Sequence, residues 1–318
     1  MQCSKCGITV QVGDRFCEEC GAPVIAIAKS KGGCEKCGAG SEEIDADGFC
    51  SNCGFRQYHR HNDRFEVICS PNLVGISDRG IKHHRNEDYV ACAQIDNQNA
   101  YILVVCDGVS SSDLPELAAK TAAESACQAL TATITNLFEQ TKTAEEIIKA
   151  AIAEAMASVC AIPYNMTAET DPPSTTIVTA VVVDRSATIG WLGDSRAYWV
   201  SPNGSCQLTR DDSWLNDVVS MGEMSEAEAG KSPQAHAITK WIGADAVNMQ
   251  PSIVSFNIPD SGYLLLCTDG FWNYIGEATQ INTLVNLGAD TLTVSQSLVE
   301  FALRSGGRDN ISVAVLSF

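Results

Sequence analysis

Eight cysteines in four Cys-x-x-Cys pairs crowd the first 53 residues of this 318-residue chain, and no other feature restricts its fold so tightly. The pairs are Cys3/Cys6 with Cys17/Cys20, then Cys34/Cys37 with Cys50/Cys53; ten residues separate the first two pairs and twelve the second two. The tight loop inside each pair points two thiolates and nearby backbone N–H groups at one centre. A glycine follows every pair (Gly7, Gly21, Gly38, Gly54), where it relieves the backbone strain that such a loop imposes. Two loops of this kind complete a closed tetrahedral set of four thiolates, the geometry of structural zinc. Two structural Zn²⁺ ions are therefore expected, ahead of rubredoxin-type iron or a redox dithiol, which calls for a βαβ setting absent here.

The region resembles a double zinc ribbon over residues 1–55. Neither half can bury much core, so metal binding supplies the folding free energy. Domain limits are set at 1–58 for the ribbons, 59–66 for a polar linker and 67–318 for a large domain, with a further short linker at Val24–Gly33 between the ribbons. The seven remaining cysteines are scattered singly, several in apolar runs, as small buried hydrophobes are.

The net charge is −18, from 21 basic and 39 acidic residues, and residues 1–58 hold only six basic groups against eight acidic. That balance argues against a nucleic-acid partner, which needs Lys and Arg to displace counterions. The ribbons are expected to meet a protein partner instead. Apolar stretches fall far short of the roughly 20 residues that span a bilayer, and the N-terminus lacks a signal-peptide core. A cytoplasmic chain without membrane association is expected.

Past residue 72 the pattern is mostly strand-like: Leu73–Ser77, Tyr89–Ile95, Tyr101–Cys106, Thr175–Val183, Thr188–Leu192, Tyr198–Val200, Pro251–Ile258, Tyr263–Cys267 and Ile311–Phe318. One block changes period. Ile148, Ile152, Ala155, Met156 and Val159 recur at threes and fours, and Leu114–Leu137 is Ala-rich and helical. A further helix is expected over Thr291–Arg304. Strand runs broken by one paired-helix block predict an α+β sandwich, sheets packed together and helices outside.

Two of the strand-like runs end in Asp-Gly, at Asp107-Gly108 and Asp269-Gly270, and Asp309-Asn310 and Asn86-Glu87-Asp88 add further carboxylates. Alone, Asp-Gly is a favoured hairpin turn. Gathered, such carboxylates make an oxygen-lined site for hard divalent cations.

Taken in order, these motifs resemble those of the metal-dependent protein serine/threonine phosphatases of the protein phosphatase 2C type (the PPM family). Ser77-Asp78-Arg79-Gly80 through Asn86-Glu87-Asp88, Cys106-Asp107-Gly108, Ser174-Thr175-Thr176, Gly193-Asp194-Ser195-Arg196, Leu208 to Ser213, Thr268-Asp269-Gly270 and Asp309-Asn310-Ile311 carry the likeness, over about residues 67–318. The resemblance implies two antiparallel β-sheets flanked by helices and hydrolysis of phosphoserine and phosphothreonine left by a serine/threonine kinase. It implies two Mn²⁺ or Mg²⁺ ions, with Asp107 bridging them, the Gly108 carbonyl on one, Asp269 and Asp309 on the other, and a bridging hydroxide as nucleophile. Glu87 would act through a bound water, Asp88 would orient the hydroxide, and Asp194 would help hold a third, weaker metal beside a flap between Trp214 and Ala235.

Three places depart from the family pattern. The phosphate-gripping Arg expected four residues before Glu87 is His83, and Arg85 lies two residues further on, so either is a candidate phosphate contact. Val109-Ser110-Ser111-Ser112 follows Gly108 where a general-acid His stands in some members, which leaves leaving-group protonation to water. Asp212, where the family often has His, is expected to cap the helix before Trp214. In residues 67–318 no Cys stands six before an Arg, so the nucleophile pattern of tyrosine phosphatases is absent there (Cys50 and Arg56 have that spacing, but Cys50 belongs to the metal pairs). The alternative to an active enzyme is a silent phosphatase fold that acts through its ribbons.

Overall fold

The computed structural model describes residues 34, 37–40, 43, 50–54, 64–135, 142–164, 171–246, 249–285 and 288–318. Cys3, Cys6, Cys17 and Cys20, the linker at 24–33 and the polar junction at 57–63 lie outside the described residues. The chain divides into two compact units, residues 1–59 and 60–318.

Two antiparallel sheets build the larger unit. One runs β1 (Arg64–Ser70), β2 (Leu73–Asp78), β13 (Ile311–Ser317), β12 (Tyr263–Cys267), β8 (Arg196–Val200) and β9 (Cys206–Gln207). The other runs β11 (Ser252–Asn257), β7 (Ser186–Leu192), β6 (Ile177–Val183), β4 (Ala100–Asp107) and β3 (Asp88–Ile95). A small pair, β5 (Ser174–Thr175) with β10 (Ile242–Gly243), stands apart from both.

The strands read as nearly unbroken apolar runs because both their faces are covered. In β4, Leu103 and Val105 pack into the layer between the sheets with Leu73, Leu264 and Leu316 of the opposite sheet. Their neighbours Ile102, Val104 and Cys106 point the other way, onto α1 (Pro115–Thr135) and α2 (Ala144–Cys160). Five of the seven alanines of α1 (Ala118, Ala119, Ala122, Ala123, Ala126) are buried, and their small side chains let the helix lie close to the sheet and to α2. Thr143 caps α2 through a reciprocal box with Glu146.

Short helices α3 (Trp214–Ser220), α4 (Glu226–Ala229), α5 (Asp269–Trp272) and α6 (Ile281–Leu284) follow. The last helix, α7 (Thr291–Arg304), buries Val294, Leu298, Val299 and Ala302 against Val313 and Val315 of β13. Its bounds agree with the sequence reading. No helix among the described residues is long and apolar enough to cross a membrane.

Three local differences have physical causes. The run Thr175–Val183 breaks at Thr176, because β5 pairs with β10 whereas β6 pairs with β4 and β7. Residues 64–66 of the expected linker belong to β1, whose Arg64 bridges to Asp78 across the β1–β2 pair. The cap of α3 is Ser213, which accepts from the Asn216 N–H, and not Asp212, whose carboxylate is engaged elsewhere.

Candidate active site

Strand register places the acidic motifs at one end of the sandwich. Asp88, the first residue of β3, pairs with Asp107, the last of β4. On the opposite sheet β12 ends at Cys267, so Thr268 and Asp269 emerge beside Asp309-Asn310, which lead into β13. Gly193-Asp194-Ser195 crosses from β7 in one sheet to β8 in the other.

Hydrogen bonds fix this end. Thr268 Oγ1 donates to Asp88 Oδ2 at 2.8 Å and accepts from the Ser312 N–H. Asn310 Oδ1 accepts from the Glu87 N–H at 2.8 Å, while its Nδ2 donates to the Arg79 and Arg85 carbonyls. The Asp107 carbonyl accepts from the Thr176 N–H and from Thr175 Oγ1, both at 2.8 Å. Trp272 Nε1 donates to the Asp194 carbonyl, and the Arg196 guanidinium lies 3.5 Å from the Trp272 ring centre while forking onto Asp211.

Neither Asp-Gly is a hairpin turn. Asp107-Gly108 leads into the loop before α1, and Asp269-Gly270 opens α5. The glycine serves close approach. A Cβ on Gly270 would stand 1.8 Å from the Asn310 carbonyl oxygen, so only glycine lets the two loops meet.

The electrostatics are those of crowded, desolvated acids. Asp88 is held well above the usual carboxylate range by burial and then by the charges of Asp269 and Asp309. Asp107 is raised likewise, by burial and then by Asp88, Asp269, Asp194 and Asp309. Burial and Asp309 push Asp269 up to about 6, and burial and Asp269 push Asp194 up to about 7. Asp107, Asp194 and Asp269 each keep an edge open to solvent, yet enough protein surrounds them for desolvation to lead. Asp88 Oδ1 is buried with no hydrogen-bond partner. An acid cluster with an orphaned oxygen and mutual repulsion suits hard cations, which would relieve both.

The two candidate phosphate contacts stand on carboxylates. His83 Nε2 lies 3.1 Å from Asp309 Oδ1. Arg85 donates to Glu87 Oε1 at 2.6 Å and reaches Glu116 at 3.4 Å. Glu87 is buried, and its second oxygen accepts from Ser110 Oγ at 2.5 Å. Asp212 accepts from the Gly193 N–H and pairs with Lys240 at 2.7 Å. Sequence reasoning missed the parts played by Thr268, Asn310 and Lys240. The first two sit inside quoted motifs, but nothing local signals Lys240.

The smaller unit holds the tighter cluster. Cys34, Cys37, Cys50 and Cys53 bring their sulfurs within 4.8 Å of one another, and among the described residues they are the one His/Cys/Asp/Glu group drawn so close. Gly38 and Gly54 take φ of +74° and +66°, as the expectation for the residue after each pair required. The Cys37 thiol is lowered to about 6, first by a backbone hydrogen bond from Ala39 and then by Cys53, whereas burial raises Cys50. Four soft ligands in this arrangement fit zinc.

Comparison with known proteins agrees with both units. The model of the protein phosphatase 2C family matches residues 79–301, and that of a zinc-ribbon domain matches residues 2–24. Protein phosphatase PhpP of Streptococcus pneumoniae is 33% identical over 143 residues, 45% of this chain and 57% of PhpP, so the match spans little more than half of that relative. The serine/threonine phosphatase stp of Listeria welshimeri is 27% identical over 244 residues, covering 76% of this chain and 93% of that protein. Among solved structures, serine/threonine phosphatase Stp1 from Staphylococcus aureus has a TM-score of 0.64 at 25% identity, covering 79% of this chain and 96% of Stp1. The catalytic domain of the phosphatase PstP, solved with two manganese ions, shares the fold at a TM-score of 0.56 and 22% identity, covering 80% and 98%.

Proposed function

The chain belongs to the protein phosphatase 2C family, and from that premise we propose that it is a metal-dependent protein serine/threonine phosphatase. The observation that carries the reading is the register pairing of Asp88 with Asp107, which sets a buried and a half-buried carboxylate against Asp269 and Asp309 of the other sheet. Asp107, the Gly108 carbonyl, Asp269 and Asp309 would hold two Mn²⁺ or Mg²⁺ ions, with Asp194 beside a third. Bound there, the cations would lower the pKa of a shared water and stabilise charge on the phosphoryl oxygens.

The chain's own groups do the positioning. Thr268 anchors one oxygen of Asp88 and leaves the other free to orient water. Arg85 and Ser110 hold the two oxygens of Glu87, so Ser110 serves the carboxylate and not the leaving group. Arg85 is engaged between Glu87 and Glu116 and His83 meets Asp309, so both stay candidate contacts for the substrate phosphate, His83 with one carboxylate to leave and Arg85 with two. The substrates are phosphoserine and phosphothreonine proteins made by a serine/threonine kinase. The cysteine unit, with two zinc ions, would recruit a protein partner. A cytoplasmic setting suits the described cysteines, none of which forms a disulfide, as a reducing compartment maintains.

Hydrolysis of p-nitrophenyl phosphate and of a phosphothreonine peptide, with and without Mn²⁺, tests the reading. Release should depend on Mn²⁺ and fall by about a hundredfold or more in Asp107→Asn. No Mn²⁺-dependent release would favour the silent binding protein, and full activity in the variant would contradict the place given to Asp107 among the metal ligands.

A further inference from the structure

Beside Asp107 the larger unit opens a cavity of about 260 Å³ that the chemistry above does not use. Its walls are the loop after Gly108, the strand β5 with the residue Asp171 before it, and the segment that enters β10. They are tied to the catalytic end by backbone. The Val109 N–H donates to the Ser174 carbonyl, the Asp113 N–H donates to the Asp171 carbonyl, and Thr175 of β5 bonds the carbonyl of Asp107 itself. The cavity is therefore a fixed feature of the site's flank. It falls below the roughly 300–1,000 Å³ of drug-sized ligand sites, so it suits one long side chain better than a cofactor.

Its charge is of one sign. Asp171 and Asp245 stand in the lining, and among the described residues the lining includes no Lys or Arg. Trp241 Nε1 donates to Asp245 Oδ1 at 2.9 Å, which holds that carboxylate in place by one oxygen while the other can accept. Trp241 also lines the cavity and adds an aromatic surface of the kind on which cations rest. The hydroxyl of Ser112 accepts from the Ser174 N–H, so the buried serines satisfy each other and compete little for a guest. Two carboxylates, one of them anchored, beside an indole form a receptor for a cation. An anionic or wholly apolar side chain would leave both acids unpaired and partly desolvated.

We propose that this cavity is a specificity subsite that receives an arginine or lysine side chain of the phosphoprotein, a few residues from the phosphorylated one. The assignment rests on the phosphatase reading for its substrate, while the cavity and its charge stand independently of it. Asp171, Trp241 and Asp245 select the substrate and touch none of the reacting atoms.

Two readouts separate this proposal from the reading beneath it. In the first, kcat/KM of the Mn²⁺-loaded full chain is measured on phosphothreonine peptides in which a single Arg, Lys, Gln or Glu is moved through the positions on either side of the phosphothreonine. In the second, fluorescent versions of the same peptides are bound to Asp107→Asn, where no turnover is needed. At one position the Arg and Lys peptides should exceed the Gln peptide by about three- to tenfold in both readouts, with less difference at high salt. The preference should shrink to within about twofold in Asp171→Asn/Asp245→Asn and turn toward the Glu peptide in Asp245→Lys. A ratio between peptides is insensitive to a general loss of folded protein. Equal kcat/KM and equal binding for Arg and Gln peptides at every position would overturn the subsite, as would a preference that survives the double variant. Preferential binding without any hydrolysis would uphold the subsite and sink the phosphatase reading instead.

Discussion

The chain carries two metal-ligand clusters built on opposite plans. The four thiols of the small unit come from two loops close in sequence and converge to within 4.8 Å. The carboxylates of the large unit come from positions as far apart as Asp88 and Asp309 and are set by the register of two sheets. In the first one ligand is favoured as its anion, the Cys37 thiol being lowered by an Ala39 backbone hydrogen bond, while burial raises Cys50. In the second the fold holds carboxylates where burial and mutual charge oppose ionisation. On the proposed reading a metal would make the one fold, whereas a fold would make the other metal site. The softness of sulfur and the hardness of oxygen then keep zinc and manganese apart.

The largest effect that can break this contrast lies in the small unit. Cys34→Ser with Cys53→Ser should remove one of two zinc ions per chain and unfold that ribbon, since structural zinc supplies about 10–16 kcal/mol of folding free energy in zinc-finger peptides. Zinc content by atomic emission and peptide hydrolysis check it together. A variant that keeps both zinc ions would break the contrast, as would one that loses Mn²⁺-dependent hydrolysis by more than about tenfold, because the carboxylate site draws no ligand from the ribbon.

A glycine pair sharpens the comparison at the next scale. Gly270→Ala puts a Cβ against the Asn310 carbonyl and should cost about 1–3 kcal/mol in urea unfolding, with reduced Mn²⁺ affinity. Gly54→Ala meets no atom within 4 Å, and its φ of +66° should cost only about 1 kcal/mol. Equal costs would mean that the Asp-Gly glycine is needed for conformation and not for close approach. Thr268→Val, nearly isosteric, removes the hydrogen bond to Asp88 and should cost about 1–2 kcal/mol and lower kcat more than it raises KM. A change in KM alone would place Thr268 outside the positioning of Asp88.

The smallest effect is a pH dependence. Asp269 at about 6 and Asp194 at about 7 lie above their ordinary 3.8. Acids raised in this way keep protons in the folded state that the unfolded chain has released. Their penalty is absent below the ordinary value and grows as pH climbs through 6 to 7, so the metal-free protein loses stability over that window. Cations remove the penalty. Adding Mn²⁺ to chelator-treated protein should therefore raise Tm by about 3 °C more at about pH 7.5 than near pH 5. An equal rise at both would show that the acids are not strained.

What the sequence disclosed followed the same divide. Strands buried on both faces announce themselves as apolar runs, and α7 shows its stripe, so these elements could be read, α7 and β12 with both their ends. The cysteine loops are local and were legible with their glycines. Asp107 and Asp269 could be recognised as strand-end acids, but not the reason for their glycines, which lies in the Asn310 carbonyl and in Glu87 and Pro115. Asp212 read as a cap because caps are local, yet its partners are Gly193 and Lys240, brought in by the sheet crossing and the end of the 214–235 segment. Sequence alone leaves His83 and Arg85 as alternative phosphate contacts, and nothing local signals that Arg85 meets Glu116 on α1, 31 residues away. Long-range polar pairing has no periodicity, so it was the part that only the structure could supply.

The central claim is that the carboxylates at the sandwich end hold the catalytic cations while the thiolates do not. Electron paramagnetic resonance titration of the zinc-loaded full chain with Mn²⁺ tests it most directly, against Asp107→Asn and Asp269→Asn. The account predicts about two tightly held Mn²⁺ per chain in the native protein, fewer than one in Asp107→Asn, and weakened binding in Asp269→Asn, with zinc content unchanged throughout. Native Mn²⁺ stoichiometry and affinity in both variants would contradict it.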